Sequence, residues 1–260
     1  MPFTLAHPAA VLPLRGSRYL RTAPLIIGAV IPDLPYYLPG GLSHRVPETH
    51  SFTGSFTTDL LLGCAALVAL FLLRRPLTAL LPARARRLCL NALAPYSGWP
   101  WREWAWAPLA ILAGVWTHLL WDSFTHSDGW MVQRMAVLSA PVTIGSYTRQ
   151  VAHLLQYLSS AFGLVVMAIW YCRLRAPPAV AATPGAARSA AGPVLLLAAV
   201  AATLIGGVQA VEYFNHWHVI YGTIDILLTR GLAWFGALYL LAGTIVTLEG
   251  THERLSDGGT

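Results

Sequence analysis

Apolar residues in this chain come in long unbroken blocks. They do not alternate as in a strand, nor form the single stripe of a surface helix. Five blocks, at about 57–73, 104–122, 151–171, 194–213 and 232–248, are each close to the roughly 20 residues that cross a bilayer. A sixth, at about 20–38, is interrupted by Asp33 between Pro32 and Pro35 and closes on Pro39-Gly40-Gly41. Prolines at membrane depth need protein neighbours, which predicts a broken or re-entrant helix there. The expected fold class is all-α: a polytopic membrane helix bundle with five to six transmembrane helices.

Composition supports that reading. Of 260 residues, 56% are hydrophobic and 11% charged, against about 25% charged in a soluble domain. All 17 basic residues are Arg. They gather at the ends of apolar blocks with no aromatic-basic recognition pattern, so no nucleic-acid partner is expected. Arg74, Arg75, Arg84, Arg86, Arg87, Arg102, Arg173, Arg175, Arg188 and Arg254 lie in alternate connections and the C-terminal tail. Only Arg45, Arg134, Arg149 and Arg230 lie in the others. That bias predicts a cytoplasmic C-terminus, with 40–56, 123–150 and 214–231 facing outward. The Arg15, Arg18 and Arg21 group favours a cytoplasmic start for the first block.

Residues 176–193 are rich in Ala, Pro and Gly and read as a flexible linker. It divides the chain into 1–175, which carries nearly all the polar motifs, and 194–260, two further helices and a short tail. Cys64, Cys89 and Cys172 form no CxxC pair, so neither a disulfide framework nor a cysteine metal site is expected. The opening Met1-Pro-Phe-Thr-Leu-Ala-His7 lacks the charged stretch of a cleavable leader.

Three groups carry candidate chemistry. His118, Asp122 and His126 recur every four residues and share one helix face. An ionisable group at membrane depth costs roughly 2.5–3.5 kcal/mol on insertion scales. A His and a carboxylate one turn apart can hold a divalent ion; the plainer reading is a His–Asp bond that anchors the helix end. His50, in Glu48-Thr49-His50-Ser51, is a candidate ligand or base, with Ser51 placed to cap the next helix or orient the imidazole. Asp33 sits in an apolar, proline-broken stretch, where a carboxylate should be paired, protonated or metal-bound. The alternative is a Pro-Asp turn at the interface.

Asp59 reads as a carboxylate near a helix start, or as a general base. His216, His218 and Asp225 read as interfacial, and Trp116, Trp121 and Trp130 as an aromatic belt. His7 depends on topology. If 20–38 spans fully, His7 is cytoplasmic and cannot meet His50; if it is re-entrant, the two share a side. Nucleophile-elbow, zincin, P-loop and Rossmann motifs do not occur.

The opening through His7-Pro and Leu14, Gly28-Ala-Val-Ile-Pro-Asp33-Leu-Pro-Tyr36, Thr49-His50-Ser51, His118-Leu-Leu-Trp-Asp122-Ser-Phe-Thr-His126 and Tyr157-Leu-Ser-Ser160 resemble a bacterial membrane family, domain of unknown function 4184, over roughly residues 1–175. More distantly, they are similar to inner-membrane proteins described as metal-dependent hydrolases. That likeness implies His7, Asp33, His50, His118 and Asp122 as metal ligands. This chain has a single Asp in the Pro-Asp segment, so the likeness does not carry a two-metal site.

Together these features imply a multi-pass protein of the bacterial inner membrane with a divalent-metal site, zinc by donor type, near the outer leaflet. Metal-dependent hydrolysis of a lipid phosphoester or another small molecule is the leading reading, with Asp33 or Asp59 as general base. An ion- or proton-coupled transporter and a non-enzymatic scaffold are the alternatives.

Overall fold

The computed structural model describes residues 4–17, 19–38, 48–145, 147–178 and 186–257. Arg18, Arg45, most of the 40–56 connection before Glu48, and linker residues 179–185 lie outside the described residues. In chain order the elements begin with a 3-10 turn (Thr4–Ala6), α1 (Pro8–Val11), a second 3-10 turn (Leu12–Gly16), α2 (Thr22–Val30) and a 3-10 stretch (Ile31–Tyr37). Then come α3 (Phe52–Leu72), α4 (Arg74–Ala79), α5 (Ala83–Leu93) and α6 (Trp101–Thr125). After α7 (Ala136–Ser139), strands β1 (Pro141–Ile144) and β2 (Tyr147–Gln150) form an antiparallel hairpin pairing Pro141 with Gln150. The chain continues through α8 (Val151–Arg173), α9 (Ala186–Trp217) and α10 (Ile220–Asp257).

Among the described residues, five helices are long and apolar enough to cross a membrane: α3, α6, α8, and the stretches Ala191–Trp217 and Gly222–Glu249 of α9 and α10. The chain is therefore an all-α, multi-pass membrane protein in contact with lipid. The sixth block does not span. Its helical part, α2, has nine residues and rises only about 14 Å, because Pro32 and Pro35 force the chain into the 3-10 stretch.

The fold forms two compact units. One comprises Met1–Leu34, Val46–Val68 and Pro95–Leu174; the other comprises Pro35–Arg45, Ala69–Ala94 and Arg175–Thr260. In the second unit α9 and α10 make a hairpin that turns at His218, whose φ of 52° is left-handed. The outward loop expected at 214–231 shrinks to this turn, and Asp225 lies inside α10. Tyr239 Oη donates to the Leu77 carbonyl at 2.8 Å and ties α10 to α4.

In the first unit α6 is the spine, and α2 runs along it. At one end the Arg21 guanidinium grips both oxygens of Glu103, at 2.8 and 2.6 Å. Further along, Gly28 and Gly114 meet. A Cβ on Gly28 would overlap the Ile111 carbonyl, and one on Gly114 would fall 2.7 Å from the Ala29 nitrogen. Only glycine lets the two backbones approach this closely. Val11, Leu25, Ala29 and Ala110 fill the space around the crossing.

Two of the three indoles read as an aromatic belt also join helices. Trp116 Nε1 donates to Ser55 Oγ on α3, and Trp121 Nε1 donates to Ser159 Oγ on α8, both at 3.1 Å. Trp130 remains exposed. Gly163 of α8 lies against Ala6, so the N-terminal turn packs on that helix.

The route of the N-terminus answers the question about His7. Arg21 sits at the level of Glu103, and α2 climbs from there to the level of His118. The fifteen residues of α6 from Glu103 to His118 rise about 22 Å. The helical turns between His7 and Arg21 cover that distance in reverse and bring His7 back beside His118. Arg21 and His7 therefore occupy opposite ends of one helical hairpin.

Gly28→Ala should lower the melting temperature in detergent by the equivalent of about 1–3 kcal/mol, an overpacking effect. Gly207→Ala, at a helical glycine with open space around it, should not lower it. Equal shifts for the two variants would contradict the close crossing.

Candidate metal centre

Four separate segments deliver side chains to one place. The N-terminal turn brings Thr4 and His7, the stretch after α2 brings Asp33, the segment before α3 brings Thr49 and His50, and α6 brings His118 and Asp122. His7, Asp33 and His118 are fully or almost fully buried, and Asp122 nearly so. His50 is about a quarter exposed. His118 lies seven residues, or about 10 Å, from the end of α6.

Hydrogen bonds fix which nitrogens face inward. His118 Nδ1 is 2.8 Å from the Ala29 carbonyl. A carbonyl only accepts, so Nδ1 carries the proton and Nε2 faces the cluster. At His50, the Thr49 hydroxyl donates its one proton to the Pro32 carbonyl at 3.0 Å. It must then accept from His50 Nδ1, also at 3.0 Å. This again leaves Nε2 facing inward. A ring whose far nitrogen donates to a carbonyl or hydroxyl is the arrangement found behind metal-ligating histidines.

The inward atoms surround a common space. His118 Nε2 lies 3.1 Å from Asp122 Oδ2 and 3.7 Å from Asp33 Oδ1. His50 Nε2 lies 3.2 Å from Asp33 Oδ1 and 3.9 Å from Asp122 Oδ2. Ligands at zinc distances in a tetrahedron are separated by about 3.3–3.6 Å, and these four edges scatter around that range. His7 Nε2 lies 3.6 Å from the other Asp122 oxygen, and its ring stacks on His118 with centroids 3.9 Å apart.

Two triads could hold an ion: His7, His118 and Asp122, and Asp33, His50 and His118. His118 is common to both and has one nitrogen left, so the two cannot be filled at once.

The electrostatics suit positive charge at the centre, whether protons on the imidazoles or a bound cation. Burial opposes charge on Asp33, but the imidazoles of His50 and His118 and the Thr4 hydroxyl, 2.6 Å from Oδ2, outweigh it. They hold the carboxyl down at about 2. Burial, reinforced by the neighbouring His118, brings His7 down to about 4. His7 is then neutral at pH 7, with both ring nitrogens buried and lacking hydrogen bonds. Extra protons on His50 and His118 would satisfy those rings against the carboxylates. His7, with Nε2 3.6 Å from Asp122 Oδ1, would gain a bond from an ion held in the His7, His118 and Asp122 triad.

Asp59 departs from the expected position near a helix start. α3 begins at Phe52, capped by Ser51 Oγ accepting from the Gly54 amide, and Asp59 ends a π-helical turn, Ser55–Asp59, inside it. It is fully buried, neither carboxylate oxygen has a hydrogen bond, and His50 and His118 lie within electrostatic reach. His126 caps the end of α6 at the rim, with Nε2 3.7 Å from Asp122 Oδ2. His216 and Asp225 lie in the other unit. Sequence reasoning missed Thr4, Thr49 as the group that orients His50, and the Ala29 carbonyl. Only the nearness of Thr4 to His7 and of Thr49 to His50 signalled them.

The fold and the cluster define a polytopic α-helical membrane protein with a buried His–Asp centre able to hold a metal ion. The chain belongs to the family described as Domain of unknown function (DUF4184), whose profile matches residues 1–248. That match runs well past the expected 1–175, so α9 and most of α10 are part of the family. No curated protein and no solved structure matches the chain.

Nitrogen-15 histidine NMR of the folded protein should show His118 and His50 protonated at Nδ1. Thr49→Val should perturb the His50 signal and leave that of His118 in place. A proton on His118 Nε2 with Nδ1 bare would refute the assignment.

Proposed function

We propose that this chain is a metal-dependent hydrolase of the bacterial inner membrane, acting on lipid phosphoesters. The observation that carries the reading is the buried, unpartnered His7 beside inward-facing nitrogens of His50 and His118 and the carboxylates of Asp33 and Asp122. Those five residues supply the ligands, an ion taking either the His7, His118 and Asp122 triad or the Asp33, His50 and His118 triad, and zinc suits their mixed nitrogen and oxygen donors. A divalent ion there supplies Lewis-acid polarisation of a phosphoester and a bound water acidic enough to attack it.

The remaining roles fall to this chain's own groups. Asp33 serves as a ligand, since His50, His118 and Thr4 already engage its two oxygens. Asp59, with both oxygens unengaged, is the general base that takes the proton of the attacking water. His50 and His126 form the partly exposed rim by which substrate enters.

Beside that rim, Phe52, Phe56 and Trp116 make an exposed aromatic cluster with ring centroids 5.2–6.2 Å apart. Such a surface suits acyl chains beside the rim. Arg21, Arg102 and Arg173 lie towards the opposite ends of α6 and α8. This supports a cytoplasmic C-terminus, the centre near the outer leaflet, and residues 1–175 as the site-bearing part.

The transporter reading fares worse. A coupled path would continue along the membrane, yet α6 carries no charged residue between Glu103 and His118.

Purified protein should contain about one equivalent of transition metal, and His118→Ala should lose it. Thr49→Val should weaken metal affinity roughly 10–100-fold. A metal-free preparation, unchanged by His118→Ala, sinks the proposal. Asp59→Asn should keep the metal and lower hydrolysis of a lipid phosphoester by roughly 10²–10⁴-fold. Full activity in Asp59→Asn would remove Asp59 from the mechanism.

A further inference from the structure

The first unit carries a second feature that the hydrolase reading does not use. A groove of about 630 Å³ runs between the N-terminal helical turns and α8. Its walls are apolar: Ala10, Leu12, Phe162, Val166 and Ile169. One end abuts Trp121. The other end opens into a smaller space of about 300 Å³, and both spaces are lined by Arg15, Trp170 and Arg173. No acidic residue lines either space.

The polar end has the groups that recognise a phosphate. Arg15 and Arg173 are exposed guanidiniums, and Arg15 lies 5.8 Å from the centre of the Trp170 ring. Trp170 lines both spaces. Guanidiniums bind phosphate oxygens through paired N–H groups. α8 is a membrane-spanning candidate that ends at Arg173, which places these groups at headgroup level.

The groove also has the right length. From Phe162 to Arg173, α8 rises about 16 Å. That is about half of a hydrocarbon core roughly 30 Å thick, the depth of one leaflet.

We infer that this groove seats one acyl chain of an anionic phospholipid, with its phosphate held by Arg15 and Arg173. The lipid belongs to the leaflet opposite the His–Asp centre and is not the substrate. Its chain packs along the turns that carry His7 and ends at Trp121, whose ring contacts His7 with centroids 5.5 Å apart. The bound chain thereby braces the N-terminal hairpin against α8.

The test is native mass spectrometry of the full chain, titrated with phosphatidylglycerol and with phosphatidylcholine of the same chains. Wild type should prefer phosphatidylglycerol by roughly tenfold or more, given two guanidiniums near the phosphate. The pair Arg15→Gln/Arg173→Gln should lose that preference while melting within a few degrees of wild type. Arg15→Gln alone, at an exposed position, should lose part of it and serves if the pair fails to fold. Val166→Trp, which fills the groove and leaves the charges in place, should weaken binding of both lipids. Millimolar inorganic phosphate should leave phosphatidylglycerol bound.

Equal retention of the two lipids by wild type would mean annular lipid only and would overturn the inference. So would an unchanged preference in the Arg variants, unchanged binding in Val166→Trp, or displacement by phosphate alone. Metal content and hydrolysis are not read in these measurements, so the proposed activity stands or falls separately.

Discussion

Two buried carboxylates face imidazole nitrogens whose protons are committed elsewhere, and this confrontation organises the first unit. Ala29 takes the proton of His118 Nδ1, and Thr49 takes that of His50 Nδ1. The inward nitrogens and the oxygens of Asp33 and Asp122 are then all acceptors. Acceptors packed 3.1–3.9 Å apart repel unless positive charge lies between them. Protons could supply it at two of the rings. An ion in the His7, His118 and Asp122 triad would engage His7 as well, and one in the Asp33, His50 and His118 triad would engage His50.

Holding such a cluster requires a scaffold that tolerates little relaxation. The Gly28–Gly114 crossing sets the height at which Ala29 meets His118. The Arg21–Glu103 fork fixes the far end of the same helix pair. Trp116 and Trp121 then bind α3 and α8 to the spine. Each device sits on α6, so one membrane helix aligns four chain segments that are far apart in sequence. The strongly polar contacts lie at its two ends, where water or headgroups can help solvate charge, and its middle is left to small apolar residues.

Much of this was legible from residues alone. Uninterrupted apolar blocks gave the five spans, since nothing else in the chain competes with bilayer insertion at that length. The four-residue spacing of His118 and Asp122 gave half of the centre. The broken block around Asp33 gave its location, because prolines next to a carboxylate fit no ordinary span. The route of residues 4–21 was not legible. Helical turns this short have no periodic signature, so whether His7 meets His50 rests on tertiary packing against Gly163 and α6. The helix start at Phe52 was misplaced because Ser51-Phe-Thr-Gly-Ser is too polar to read as part of a span. A π-helical turn there moved Asp59 from a cap to a buried position. The 214–231 connection was read as loop because its polar residues masked continuous helix on both sides of His218.

The end of α2 repays a closer look. A helix that stops leaves its last carbonyls without intrahelical partners, and the break at Ile31 releases that of Ala29. The chain thus uses main chain, rather than a side chain, to hold the tautomer of its central histidine. Substitution at position 29 leaves that oxygen in place, so alanine or cysteine scanning would pass over a group on which the whole centre leans. The side chain at that position is itself fully buried in the crossing, so a larger residue there would disturb packing rather than remove the acceptor. Its trace in an alignment would be the glycine and the proline that shape the helix on either side of it.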